Sequence, residues 1–132
     1  MKKIKLIQYW NKFYDKKIIN KESTFAKFTY KKIKKQKGKI LDIGCGNGRD
    51  SFFFNQKGYN VTGIDISKKA IQKNSKIKKK NIIFKKFDIG KNRINRKFEI
   101  IYCRFFLHTV DHLLEKKLIH LIKKTKKKNT LV

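Results

Sequence analysis

The chain is 132 residues long, 39% apolar and 13% aromatic, which suits one domain with a single core, so wholesale disorder is not expected. Its two cysteines, Cys45 and Cys103, make no C-x-x-C, giving neither a disulfide framework nor a zinc-site pattern. The formal net charge of +28 invites non-specific attraction to nucleic acid, but arginine, the residue of specific base and phosphate forks, occurs only at Arg49, Arg93, Arg96 and Arg104, so the lysine faces read as solvated surface.

Met1-Lys2-Lys3 begins as a signal peptide does, but the apolar stretch Leu6-Ile7 stops at Gln8 and no run is long enough to cross a membrane. A soluble, cytoplasmic protein in a reducing setting is expected. Ile4, Ile7, Trp10 and Tyr14 recur at helical spacing, with Leu6 and Phe13 beside them, and predict a first helix. After Asn20, a candidate cap, Phe25, Phe28 and Ile33 predict a second. Both helices can pack on a sheet; the functional alternative is that Tyr9, Trp10, Phe13 or Tyr14 closes a lid over a ligand. Lys34 to Gly38 reads as a polar connector.

Lys39 to Ile43 is then an apolar run feeding Gly44-Cys45-Gly46-Asn47-Gly48, and Arg49 to Gln56 can turn into a helix closed by Gly58. Strand, tight loop and helix follow one another. Alternating glycines suit backbone at positive φ with a ligand pressed against the main chain, and the helix N-terminus behind them favours an anionic group. The dinucleotide fingerprint G-x-G-x-x-G would need a third glycine at position 49, which is Arg49; the third glycine is instead Gly48. This spacing disfavours a nicotinamide-dependent oxidoreductase.

Tyr59 to Asp65 predicts a second buried strand that ends on an acid, with Val61 and Ile64 apolar and Gly63 small. The helix and strand between Gly48 and Asp65 place this carboxylate at the carboxyl edge beside the glycine loop, where it can accept both hydroxyls of a ribose. Taken alone, Asp65 would read as a solvated turn acid. Ser67 is a plausible N-cap for a helix over Lys68 to Ile77, with Ala70 and Ile71 turned inward. Asn81 to Phe84 predicts a third strand, leading to Phe87-Asp88-Ile89, where Asp-x-Gly is also ordinary turn chemistry.

Phe98 to Cys103 is apolar nearly throughout, as a strand covered on both faces should be. Arg104-Phe105-Phe106-Leu107-His108 runs off its carboxyl end, where ligand groups gather in open α/β sheets. Arg104 is a candidate to pair with a carboxylate of cofactor or substrate, and His108 a candidate proton acceptor or a satisfied structural histidine. Asp111 opens an amphipathic helix with Leu114, Leu118, Leu121 and Ile122 on one face, Leu113 and Ile119 beside it, and Lys123, Lys124, Lys126, Lys127 and Lys128 toward its end. Thr130-Leu131-Val132 reads as the start of a fifth strand. Strands alternating with helices predict an α/β protein with a doubly wound, mostly parallel sheet and right-handed crossovers.

The pattern Asp42-x-Gly44-x-Gly46-x-Gly48, followed in order by Asp65 and Asp88, resembles the class I S-adenosylmethionine-dependent methyltransferases over residues 39 to 132. Trp10, the run Gly48-Arg49-Asp50-Ser51 and the segment from Arg104 to His108 look most like the small-molecule methyltransferases related to tellurite-resistance and thiopurine enzymes. The resemblance implies a Rossmann-like fold that binds S-adenosyl-L-methionine. Asp42, Gly44, Cys45, Gly46 and Gly48 would surround the methionine part, Asp65 would take the ribose, Ile66 would pack on the adenosine, Asp88 would receive the adenine amino group and Ile89 would flank the ring.

The family's complete fold has seven strands, the last two an antiparallel hairpin, so a C-terminally truncated domain over 38–132 is expected, behind an N-terminal helical segment over 1–37. The function expected is methyl transfer to a small-molecule acceptor. A lysine-rich nucleic-acid-binding or RNA-modifying module on the same fold, and an inactive fragment, stand as alternatives, and oligomeric state is open.

Overall fold

Strand β1, Lys39–Ile43, turns Leu41 and Ile43 to one side of a sheet and Ile40 and Asp42 to the other, and all four are buried. A strand covered on both faces is apolar nearly throughout. Asp42 is the exception, which already marks it as a residue with a task. In the computed structural model, which describes residues 4, 5, 7–9, 21–104 and 112–131, β1 is the middle of a five-stranded sheet. Its neighbours are β2 (Asn60–Asp65) and β4 (Phe98–Cys103), and the edges are β3 (Ile82–Lys86) and β5 (Lys126–Leu131). The order is β3-β2-β1-β4-β5, and every pairing is parallel. This is the expected Rossmann-like α/β architecture.

Helices α1 (Thr24–Ile33), α2 (Arg49–Gln56), α3 (Lys68–Ser75) and α4 (His112–Thr125) complete the layers. On one face α1 supplies Ala26 and Ile33, and α2 supplies Phe53 and Phe54, to a core with Ile40, Val61, Ile100 and Tyr102. On the other, Leu118 and Leu121 of α4, with Phe87 from the β3–β4 connection, pack on Leu41, Ile43, Ile64 and Ile101. Tyr59, just ahead of β2, is buried, and its hydroxyl donates to the Ile33 carbonyl at 2.9 Å, tying α1 to the sheet. Residues 4, 5 and 7–9 are helical.

Several expectations shift in detail. The cap of α1 is Ser23, whose Oγ accepts from the Ala26 amide at 3.1 Å; Asn20 lies outside the described residues. Phe25 and Phe28 do not form the buried stripe, being 43% and 54% exposed, because the side turned to the sheet is that of Ala26 and Ile33. Helix α3 ends at Ser75 rather than Ile77. Strand β3 runs on through Lys85 and Lys86, which pair with Ile64 and Asp65; an edge strand tolerates lysine because one side of it meets water.

The same reason corrects the reading of Lys126 and Lys127 as helical. Thr125 is buried, its Oγ1 returns a hydrogen bond to the Leu121 carbonyl at 2.8 Å, and the chain passes straight into β5. Lys128 belongs to the same strand, so the fifth strand begins at Lys126 rather than Thr130. Leu113 and Ile119 lie on the exposed side of α4. Asp111, expected to open that helix, lies outside the described residues.

Candidate functional site

Parallel strands β1, β2 and β4 end together at one edge of the sheet, and the loop after β1 turns there through Gly44, Gly46 and Gly48 at φ 74°, 55° and 77°. Only glycine takes this conformation without strain. The loop is pinned from both sides. The amides of Gly44 and Cys45 donate to the Ile64 carbonyl at 2.9 and 3.0 Å, the Gly48 amide donates to the Cys45 carbonyl at 2.9 Å, and Asn74 Nδ2 of α3 donates to the Gly46 carbonyl at 2.7 Å. A Cβ on Gly48 would stand 3.0 Å from the Asn74 side chain and 3.1 Å from the Phe52 ring. Cys45 is buried in this loop, and burial pushes its thiol up, away from reactivity.

Asp65 closes β2 where the sequence places it. Its Oδ2 accepts from the Gly46 amide at 2.9 Å and its Oδ1 from the Ser67 amide at 2.8 Å, so the carboxylate is fixed against the loop before any ligand arrives. Burial raises its pKa, opposed by backbone hydrogen bonds from Ser67, Gly46 and Ile66. Each carboxylate oxygen has two lone pairs, so both can still accept a hydroxyl while keeping their backbone donors. Ile66, next in the chain, is half-buried at the same edge. Ser67 caps α3 as expected, its Oγ accepting from the Ala70 amide at 3.2 Å.

Asp42 is 2% exposed and accepts from Ser51 Oγ at 2.6 Å. Burial pushes its pKa up to about 8; the Ser51 bond opposes this, the charges of Asp50 and Asp65 add to it, and Arg104 lowers it. At neutral pH this carboxyl is therefore largely protonated, and a cation beside it would draw the proton off.

Arg104 stands one residue past the Ile43–Cys103 pair, and its Nε donates to Asp50 Oδ2 at 3.1 Å in an ion pair. Asp50 is the residue that sequence reasoning missed. It enters there only as part of the run Gly48-Arg49-Asp50-Ser51, which was the one signal, but the fold buries it and surrounds it with donors from α1 and β4.

Asp88 sits in the turn chemistry its Asp-x-Gly spacing also allows, with Oδ1 accepting from the Gly90 amide at 2.9 Å and the Asp88 amide donating to Asn92 Oδ1 at 2.8 Å. Ile89 packs against the core on the α4 side. Loop, Asp42, Asp65 and Arg104 thus gather at the ends of β1, β2 and β4, and Asp88 follows the end of β3. His108, Trp10, Phe13 and Tyr14 lie outside the described residues, and Tyr9 is exposed. Among the described residues no group of His, Cys, Asp and Glu is arranged to hold a metal, and no helix is long and apolar enough to cross a membrane. A groove of about 420 Å³ opens over β2 and β3, with Lys85, Lys86, Arg93 and Arg96 among its lining residues.

Comparison with known proteins bears on what such a site does. A family model described as a methyltransferase domain matches residues 11–132. The chain is 35% identical over 66 residues to the probable S-adenosyl-L-methionine-dependent methyltransferase TehB of Haemophilus influenzae, a match covering 48% of this chain and 23% of that protein. It is 47% identical over 36 residues to the putative methyltransferase YqeM of Bacillus subtilis, covering 27% of this chain and 15% of that one.

Among solved structures, the glycopeptide N-methyltransferase MtfA complexed with sinefungin superposes with a TM-score of 0.77 at 16% identity, over 90% of this chain and 52% of that one. TehB from Haemophilus influenzae superposes with a TM-score of 0.68 at 25% identity, over 92% and 42%. The chain therefore spans about half or less of the length of these proteins.

Proposed function

The chain belongs to the methyltransferase-domain family, and on that premise we propose that it binds S-adenosyl-L-methionine and serves methyl transfer to a small-molecule acceptor. The observation that carries this reading is the Asp65 carboxylate, joined to the Gly46 amide at 2.9 Å on the carboxyl edge of a parallel sheet. A ribose diol needs a fixed pair of acceptors, and the glycine loop leaves the main chain bare beside them. The residues present fit the cofactor: an acid for the ribose, Asp42, whose proton an ammonium group would draw off, and a cationic Arg104 for the ends of its amino-acid part, and Ile66, Asp88 and Ile89 for the adenine.

When bound, the cofactor supplies a methyl group already activated on a sulfonium. The chain then has to hold the acceptor in line and keep water out. Arg104 is assigned to a carboxylate and His108 to the acceptor's proton, if the acceptor carries one. Residues 1–37 serve as a segment laid against a cofactor-binding domain that starts at 38, and the protein is assigned to the cytoplasm.

The reading is tested by incubating the protein with methyl-labelled S-adenosyl-L-methionine and a cell extract. Label entering the small-molecule fraction is the expected outcome; label appearing only in nucleic acid or protein would overturn the choice of acceptor.

One observation favours a second reading, a lysine-rich nucleic-acid-binding or RNA-modifying module on the same fold. Two of the four arginines, Arg93 and Arg96, line the groove over β2 and β3 together with Lys85 and Lys86. Specific affinity that persists at moderate salt, and falls in an Arg93→Glu, Arg96→Glu variant, would establish it; sequence-blind binding lost at moderate salt would dismiss it.

A further inference from the structure

Asp50 accepts four hydrogen bonds, and cofactor recognition as described above makes no use of it. It is the second residue of α2, immediately behind the glycine loop, and is 5% exposed. A carboxylate in a first helical turn is already favoured by the helix dipole and could face water. This one is buried and accepts from three other places in the chain. Its Oδ1 takes the Ser23 amide at 2.8 Å. Its Oδ2 takes Ser23 Oγ at 2.8 Å, Tyr102 hydroxyl at 2.7 Å and Arg104 Nε at 3.1 Å.

A cross-link that only stabilised the fold would be complete with Ser23 and Tyr102. Arg104 adds something else. It lies beyond the end of β4, level with the start of the glycine loop, its side chain is 24% exposed, and it is near enough to Asp42 to lower the pKa of that acid. Guanidinium is planar, so fixing Nε fixes the plane in which the rest of the fork can meet a ligand. Ser23, for its part, is the N-cap of α1, the helix that supplies Ala26 and Ile33 to the core. One carboxylate therefore holds both the arginine at the site and the start of α1.

We propose that Asp50 is a positioning residue of the cofactor site: it orients Arg104 toward the ligand and, through Ser23, couples ligand binding to the seating of α1. The proposal rests on the cofactor reading above, and its test separates the two. S-adenosylhomocysteine is titrated calorimetrically into the parent, Asp50→Asn, Arg104→Gln and the double variant, with Tyr102→Phe as a change to the same carboxylate that leaves Arg104 in place. Each single variant at Asp50 or Arg104 is expected to weaken binding about tenfold, and the double variant no further, since two residues acting as one unit are not additive. Tyr102→Phe is expected to lower the thermal midpoint and leave affinity within about twofold.

Binding by the parent combined with additive losses, or with unchanged affinity in Asp50→Asn, would overturn the proposal and leave the cofactor reading intact. No binding by the parent would overturn both. Amide exchange supplies a readout that does not depend on Asp50→Asn folding. S-adenosylhomocysteine should slow exchange at Ser23, whose amide bonds Asp50 directly, in the parent and not in Arg104→Gln. Slowing that persists in Arg104→Gln would contradict the coupling.

Discussion

Asp42 is the residue whose chemistry is most displaced by the fold, and it makes the clearest prediction. Its carboxyl has an ordinary value of 3.8 and is pushed by burial to about 8 in the folded chain. A folded-state pKa above the unfolded one means that the native state holds the proton more tightly, so this contribution to stability is complete below about pH 4 and is lost as pH rises through about 8. The parent's thermal midpoint should therefore fall between pH 6 and pH 8.5 by more than that of Asp42→Asn, which cannot ionise. Equal slopes in the two proteins would contradict the assignment.

Gly48 offers a second test at this scale. Gly48→Ala meets both a φ of 77° and the side chains of Asn74 and Phe52, whereas Gly58→Ala meets a φ of 98° with nothing within 4 Å. The backbone cost is about 1–2 kcal/mol in each. Gly48→Ala should cost more than that in urea unfolding, and Gly58→Ala no more.

Among the elements, α3 and strand β4, which lies between β1 and β5, show where local chemistry decides stability. Ser67 is fully buried and caps α3, so Ser67→Ala should destabilise the protein by about 1 kcal/mol in urea unfolding. Glu99 reaches from β4 to both neighbouring strands, accepting from the Lys39 amide at 2.7 Å and from Lys127 Nζ at 2.6 Å. Burial alone would raise its pKa, but these donors outweigh it and hold the carboxyl below its ordinary value. The stability it adds is present above that ordinary value and is lost as pH falls through the lowered one. Glu99→Gln should accordingly flatten the acid limb of the stability profile below about pH 5.

These elements also show what the sequence could and could not reveal. Strand β1, the loop, α2 and the cap of α3 were legible because each rests on neighbouring residues: an apolar run, glycines at fixed spacing, a serine before a helix. Strand β5 was read too short because Lys126 and Lys127 look helical beside α4, and only pairing with β4 makes them an edge strand. Phe25 and Phe28 were read as core because helical spacing does not say which stripe meets the sheet. Asp50 was passed over because its donors lie 27, 52 and 54 residues away, a distance at which no local pattern speaks.

On the scale of the whole molecule, the parallel sheet brings the glycine loop, Asp42, Asp65 and Arg104 to one edge from three separate strands. The groove that carries Arg93 and Arg96 opens over β2 and β3. Cofactor binding and polyanion binding should respond differently to salt: added salt should weaken association with nucleic acid steeply and change affinity for S-adenosylhomocysteine, a zwitterion, far less. The central claim is that this edge is a formed cofactor site, and calorimetric titration with S-adenosylhomocysteine in the parent and in Asp65→Ala tests it most directly. Saturable one-to-one binding in the parent, lost in a folded Asp65→Ala protein, is the expected result. Absence of binding by the folded parent, or equal binding by the two, would contradict it.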